Sequence, residues 1–166
     1  YVIGSAQGTR LEIKGTSLHA AIALAAAART VDLGIDIPSA VLVVTADGGD
    51  GFLRSVIGNG ELRTTIDEHG ADTIAAFIGE PVLGVGGMIP PPAGYWPRVQ
   101  EVLRDHGILL VVDEIVTAYG RTGRWFGSQR YELDPDVIVT AKALTSGYVP
   151  MGAVLVHDRV VDMLDG

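Results

Sequence analysis

The feature that most constrains the fold of this chain is a regular alternation of short apolar segments and amphipathic segments after residue 60. The apolar segments are continuous runs of Val, Ile, Leu and Ala, which is typical of strands buried on both faces. The segments between them have the composition and periodicity of surface helices. Buried strands that alternate with helices predict an α/β fold, in which helices cover a mainly parallel sheet.

The alternation predicts three helices and four strands after residue 60. The predicted helices are Glu61–His69, Tyr95–Asp105 and Arg159–Leu164. The predicted strands are Thr73–Ile78, Ile108–Val112, Asp136–Thr140 and Gly152–Val156. A Gly/Pro-rich loop at Gly79–Gly94 and a long loop at Thr117–Asp134 connect them.

Residues 1–60 follow a less regular pattern, so we treat them as an N-terminal segment of unassigned fold, separate from a core at 61–166. Within this segment the pattern predicts a short β-rich entry at Tyr1–Gly15, an alanine-rich helix at Leu18–Asp32 and a buried strand at Ser39–Thr45. The glycine-rich sequence Asp47–Gly51 predicts a turn after that strand.

Charge and composition exclude several classes of protein. A net charge of −8 argues against a nucleic-acid partner, because phosphate contacts need clustered Lys and Arg. The absence of cysteine excludes disulfides and thiolate metal sites, and the four histidines are too scattered to suggest a metal centre. The longest apolar run, Ala20–Ala28, is too short to cross a bilayer. We therefore expect a cytoplasmic protein with neither a membrane nor a nucleic acid as partner.

Three ionisable side chains follow predicted strands, namely Glu80, Asp113 and Lys142. In parallel sheets, ligands bind at the carboxyl ends of the strands, so we expect these side chains to lie at one ligand-binding edge. Apolar residues flank Lys142 on both sides, which predicts burial, a lowered pKa and a free amine. A lysine that forms an imine and a carboxylate that keeps a pyridine nitrogen protonated would suit pyridoxal phosphate.

Each of these residues also has a simpler interpretation. Lys142 could be a surface lysine, Asp113 could cap a helix or form half of a metal site, and Glu80 could be a solvated carboxylate beside a glycine turn. The residues alone leave these alternatives open.

Taken together, the motifs of the second half of the chain resemble those of the class III (ω-) aminotransferases, which are pyridoxal-phosphate enzymes of fold type I. The resemblance extends from about His69 to Asp162. The matching segments, in the order and spacing of the family, are Ile74–Val82, Pro92–Pro97, Leu110–Ile115, Gly120–Gly123 and Ala141–Tyr148.

The resemblance implies a role for each candidate residue. Lys142 would be the Schiff-base lysine and Asp113 the partner of the pyridine nitrogen. Ile115 would pack on one face of the cofactor ring, on the same side as Asp113 if strand alternation continues that far. Glu80 would lie at the edge of the active site. Val116 stands where many family members carry a glutamine that contacts the ring hydroxyl.

The family also implies the reaction, which is transfer of an amino group from an amine or ω-amino acid to a keto acid. Many members that use 2-oxoglutarate have a glutamate where this chain has Val85. That difference, with Val116, resembles the pyruvate-linked branch, so we expect pyruvate as the acceptor. A semialdehyde aminomutase and a catalytically incomplete fragment without turnover are the alternatives.

Family subunits are more than twice as long as this chain and assemble as homodimers or larger homo-oligomers. The glycine-serine phosphate loop and the small C-terminal domain of the family are not recognisable in this sequence. We therefore expect the chain to represent the large cofactor-binding domain of fold type I in incomplete form.

Overall fold

The computed structural model describes residues 2–4, 10–14, 40–44, 61–84 and 87–164. The helix predicted at Leu18–Asp32 and the turn predicted at Asp47–Gly51 lie outside these ranges, as does Val85.

The described residues form seven strands and four α-helices. The strands are β1 (Val2–Gly4), β2 (Arg10–Lys14), β3 (Ala40–Val44), β4 (Ile74–Gly79), β5 (Leu109–Asp113), β6 (Val137–Thr140) and β7 (Ala153–Val156). The helices are α1 (Glu61–His69), α2 (Tyr95–Asp105), α3 (Gly127–Arg130) and α4 (Asp158–Leu164). Short 3₁₀ turns at Ala71–Thr73 and Lys142–Thr145 precede β4 and follow β6, respectively.

The seven strands form one sheet, in which the order of the strands is their order along the chain. Strands β2 to β6 run parallel, whereas β1 and β7 each pair antiparallel with their only neighbour in the sheet. The predicted α/β class with a mainly parallel sheet is confirmed. Helices α1 and α2 have the predicted bounds, and the predicted β4 and β5 are each displaced by one residue.

Helices α1 and α2 pack on one face of the sheet. Residues spaced three or four apart on each helix, such as Leu62 and Ile66 on α1, form a buried stripe. This stripe contacts alternate side chains of β4 and β5, including Phe77 and Leu110. Trp96 of α2 makes an edge-to-face contact with Phe77, and its indole N–H donates to the carbonyl of Pro81 at 3.3 Å.

The other face of the sheet carries the residues of opposite parity. Ile78 pairs with Val111 on the neighbouring strand, and both are buried without joining the cluster under α1 and α2. Asp113 lies two residues after Val111, so its side chain is on this second face. The carboxylate is therefore separated from the helix-packed core by the sheet itself.

The region predicted as one long loop, Thr117–Asp134, is not entirely irregular. It contains the one-turn helix α3 at Gly127–Arg130, which the sequence does not reveal because its single turn lacks an apolar stripe. None of the helices in the described part of the chain is long and apolar enough to cross a membrane.

The contact between β4 and α2 generates a prediction about stability. A Cβ atom on Gly79 would lie 2.9 Å from the Trp96 ring and 3.0 Å from the Phe77 ring. Gly79→Ala should therefore lower the free energy of unfolding by about 1–3 kcal/mol through overpacking. Urea unfolding followed by tryptophan fluorescence measures this change.

Gly152→Ala is the matched control, because a Cβ atom there would meet its nearest atom, the Thr140 carbonyl oxygen, at an ordinary 3.4 Å. Equal losses of stability in the two variants would contradict a close fit between Gly79 and Trp96.

Candidate active site

The candidate site lies where β4, β5 and β6 end. In the parallel ladder, Gly79 pairs with Val112, and Asp113 pairs with Val139. Glu80 directly follows β4, Asp113 is the last residue of β5, and Lys142 follows β6 by two residues. The register thus brings all three predicted residues to one edge of the sheet, as the sequence predicts.

Asp113 is a buried carboxylate, with only 5% of the residue exposed. The backbone N–H of Ile115 donates to its Oδ1 atom at 3.0 Å. This bond closes a tight turn directly after β5 and fixes the orientation of the carboxylate. A buried acid held in this way can act on a ligand as a fixed negative group.

Glu80 is half-buried, and its Oε2 atom accepts a hydrogen bond from the Gly84 N–H at 2.8 Å. Burial raises the pKa of Glu80 above 4.5, and the hydrogen bond from Gly84 opposes that rise. The negative charge of Asp113 also raises the pKa, whereas the positive charge of Lys142 lowers it. Since both charges act on Glu80, the three side chains form one electrostatic group.

The expected burial of Lys142 is wrong, because its side chain is exposed. Strand β6 ends at Thr140, and Lys142 begins a 3₁₀ turn in the left-handed region, with a φ of 45°. The buried end of β6 therefore stops at Thr140 and does not extend to the lysine. Within the described residues, the Lys142 amine makes no hydrogen bond, so it is available to a ligand.

The backbone conformation of Lys142 is strained for a residue with a Cβ atom, at a cost of about 1–2 kcal/mol. A second left-handed residue, Ser146, ends the same turn. The hydroxyl of Thr145 donates to the Val149 carbonyl at 2.6 Å and helps to hold the turn closed. Strain of this kind is concentrated at functional sites, where the surrounding structure maintains it.

The expectation that strand alternation extends from Asp113 to Ile115 is wrong, because β5 ends at Asp113 and the chain then turns. Ile115 and Val116 are partly exposed in that turn. A Cβ atom on Gly84 would lie 3.0 Å from the Glu80 carboxylate and 3.2 Å from Val116. Val116 is therefore near Glu80, across a position where a Cβ atom would make tight contacts with both.

Sequence reasoning missed two further features of this region. Glu114 is completely buried, and its carboxylate binds groups in the turn after β5 and at the start of α3. The hydroxyl of Thr140, two residues before Lys142, donates to the Tyr119 hydroxyl at 3.1 Å. An acidic residue next to Asp113, with a threonine three residues later, is the only local sign of the first feature.

The described residues contain no cluster of three or more side chains that could hold a metal ion. The donors present instead suit pyridoxal phosphate, in that a buried carboxylate can pair with a protonated ring nitrogen and an exposed amine can react with an aldehyde. Asp113 and Lys142 are the residues that would hold it.

Comparison with known proteins places this site in a family. The model of the class-III aminotransferases matches residues 55–166. A putrescine–pyruvate aminotransferase of Pseudomonas aeruginosa is 50% identical over 105 residues, which cover 63% of this chain and 23% of that protein. A diaminobutyrate–2-oxoglutarate transaminase of Halomonas elongata is 52% identical over 105 residues, or 63% of this chain and 22% of the relative.

Comparison of the fold with solved structures also finds transaminases. The crystal structure of a thermostable (S)-enantioselective ω-transaminase from Thermomicrobium roseum superposes with a TM-score of 0.66 and 42% identity, over 87% of this chain and 34% of that one. The chain thus spans about a quarter of the length of the two curated relatives. Because the family model matches well over half of the chain, the protein belongs to the class-III aminotransferase family.

Proposed function

We propose that this chain carries the catalytic lysine and aspartate of a pyridoxal-phosphate-dependent ω-aminotransferase. The enzyme would move an amino group from an amine or ω-amino acid to a keto acid. Class-III aminotransferases depend on pyridoxal phosphate. The observation that carries the proposal is the position of Asp113 and Lys142 at the ends of two hydrogen-bonded parallel strands, both electrostatically coupled to Glu80.

Asp113 keeps the ring nitrogen of the cofactor protonated in this proposal. Its carboxylate is buried and held by the Ile115 N–H, so it offers a fixed negative charge. When bound, pyridoxal phosphate supplies an aldehyde that takes up the amino group and a ring that accepts the electron pair released when the substrate carbon loses its proton. A fixed charge beside the ring nitrogen makes that release easier.

Lys142 has two tasks. At rest its Nζ atom would hold the cofactor, and once released by the substrate amine, the same amine would take the proton from the amine-bearing carbon of the substrate. Exposure of the side chain and the absence of a hydrogen bond to the other described residues leave Nζ free for both. The short 3₁₀ turn fixes the start of the side chain, while its four methylenes allow Nζ to move between the two positions.

We assign supporting roles to three neighbours. Ile115 packs against a face of the cofactor ring, and Val116 lines the same region. Glu80 lies at the edge of the site, where burial and the negative charge of Asp113 raise its pKa. The proximity of Glu80, Gly84 and Val116 supports this grouping.

We propose pyruvate as the amino acceptor, on the basis of Val85 and Val116, which resemble the pyruvate-linked branch of the family. Similarity does not decide between acceptors, because the two relatives named for pyruvate and for 2-oxoglutarate are almost equally identical to this chain. Both are named as amino-transferring enzymes, which favours transamination over the aminomutase alternative.

We also propose that the functional unit is a homodimer or larger homo-oligomer. Support comes from apolar side chains that are exposed in and around β7, among them Tyr148, which is 90% exposed. The others are Val149, Met151, Val154, Leu155, Val156 and Val161. Exposed apolar surface of this extent is typical of interfaces with other protein surfaces.

The proposed role of Lys142 predicts the site of covalent labelling. Incubation with pyridoxal phosphate, followed by borohydride reduction and peptide mapping, should place the label on Lys142. The only other lysine in the sequence is Lys14, so the assignment is unambiguous. Lys142→Ala should remove the label, and a label found mainly on Lys14 would refute the proposed role.

The proposed role of Asp113 predicts the effect of removing its charge. Asp113→Asn should retain part of the cofactor affinity but lose most transamination, since a neutral amide cannot stabilise the ring proton by charge. Loss of a charge-assisted bond of about 2–4 kcal/mol corresponds to roughly a thirty- to a thousand-fold lower single-turnover rate. Asp105→Asn, at an exposed ion pair with Arg63, is the control. Single-turnover rates near those of the wild type in Asp113→Asn would contradict the role.

The raised pKa of Glu80 predicts a pH-dependent effect on stability. Because the folded pKa lies above 4.5, the ionised carboxylate opposes folding, and the protein loses stability as pH rises from 4.5 through the folded value. Glu80→Gln keeps an acceptor for the Gly84 N–H but cannot ionise. Its stability relative to the wild type should therefore increase across that window and level off above it.

Urea unfolding at a series of pH values tests this expectation, with Glu101→Gln on the exposed face of α2 as control. A stability difference for Glu80→Gln that does not change with pH would show that the surroundings do not perturb the carboxylate.

A further inference from the structure

Glu114 is the most completely buried acid among the described residues, with an exposed fraction of 0%. Both of its carboxylate oxygens accept hydrogen bonds. Oε2 accepts from the Thr117 hydroxyl at 2.5 Å and the Gly127 N–H at 2.8 Å, and Oε1 accepts from the Ser128 N–H at 2.6 Å. A buried carboxylate is costly unless its oxygens are satisfied, so these three donors are required partners.

Two chain segments supply the donors to this carboxylate, and a third packs against Gly127 beside it. Thr117 belongs to the turn after β5, and Gly127 is the first residue of α3. A Cβ atom on Gly127 would lie 2.8 Å from Pro81 Cβ, 2.9 Å from Thr117 Cβ and 3.0 Å from the Glu114 carboxylate. The segment that follows β4 therefore packs closely against Gly127, where a side chain would not fit without movement.

A short series of contacts joins Glu114 to Asp113. The Thr117 hydroxyl and the bond from the Ala118 N–H to the Glu114 carbonyl, 3.1 Å long, close the turn after β5. The Glu114 N–H donates to the Val139 carbonyl at 2.8 Å and ties the turn to β6. Ile115 lies inside this turn, and its N–H is the donor that orients the Asp113 carboxylate.

We propose that Glu114 is a positioning residue for the reaction. Its buried carboxylate holds the turn after β5 against α3, so that the Ile115 N–H keeps the Asp113 carboxylate in one orientation at the cofactor. This inference rests on the proposed function, and it adds a residue that touches neither the cofactor nor the substrate.

Glu114→Gln is the direct test, because the amide nitrogen has the size of the lost oxygen but cannot accept a hydrogen bond. At least one backbone N–H loses its acceptor. Thr117→Val is the milder variant, which removes only the hydroxyl donor and keeps the side-chain shape. Glu101→Gln on α2 is the matched control.

The first measurement needs no cofactor. Amide hydrogen exchange at Ile115 should become about tenfold faster or more in Glu114→Gln, in parallel with Gly127 and Ser128. It should increase less in Thr117→Val and remain unchanged in Glu101→Gln. If Gly127 and Ser128 lose protection while Ile115 keeps it, the carboxylate only anchors α3 and the proposal is wrong. Should Glu114→Gln not fold, the same comparison in Thr117→Val decides the outcome.

The second measurement is a double-mutant cycle on pyridoxal phosphate affinity, with Asp113→Asn as the second change. If Glu114 acts through Asp113, its substitution should weaken binding in the wild type but add little when Asp113 is already Asn. Equal fold losses in both backgrounds would indicate a general structural role and overturn the proposal. If the wild type fails to bind the cofactor, the proposed function fails, and the exchange experiment still decides whether Glu114 controls the turn.

Discussion

The candidate site depends on the parallel register of β4, β5 and β6. Hydrogen bonds between these strands fix Gly79 opposite Val112 and Asp113 opposite Val139. Residues that are 26 or 33 positions apart in sequence thereby end at the same edge of the sheet. The local turns at Glu80, Ile115 and Lys142 adjust side chains that the ladder has already brought together.

Within this frame, the three ionisable residues differ in their exposure to water. Asp113 is buried, Glu80 is half-buried and Lys142 is exposed. The gradient suits the proposed chemistry, since the buried acid provides a constant charge while the exposed amine must react and move. Burial and the negative charge of Asp113 both raise the pKa of Glu80, so the site opposes ionisation of this second acid.

The sequence predicts the regular elements well because their signals are local. Helix α2 was predicted with its observed bounds, since its apolar stripe is clear and Gly94 and Gly107, both in the left-handed region, flank it. The identity of the strand-end residues also followed from the sequence. The predicted limits of β4 and β5 differ from the observed limits by one residue, because continuous apolar runs do not mark where strand pairing stops.

The features that could not be predicted depend on contacts between residues far apart in sequence, or on turns that begin where a strand ends. The apolar neighbours of Lys142 indicate burial, but β6 ends at Thr140 and Lys142 lies exposed at the start of a 3₁₀ turn. The alternation rule failed at Ile115 because a turn begins there. The role of Glu114 was hidden because two of its donors, Gly127 and Ser128, follow it by 13 and 14 residues.

The separation of the two sheet faces limits how this gene segment can change in length. Side chains of β5 alternate between the helix-packed core, as at Leu110, and the face that carries Asp113. Inserting or deleting one codon within β5 would exchange the two faces and drive a carboxylate towards α1 and α2. A two-codon change would preserve the faces but move the carboxylate away from the sheet edge. Length changes outside β5 disturb neither relation, so this constraint on length falls on the strand itself.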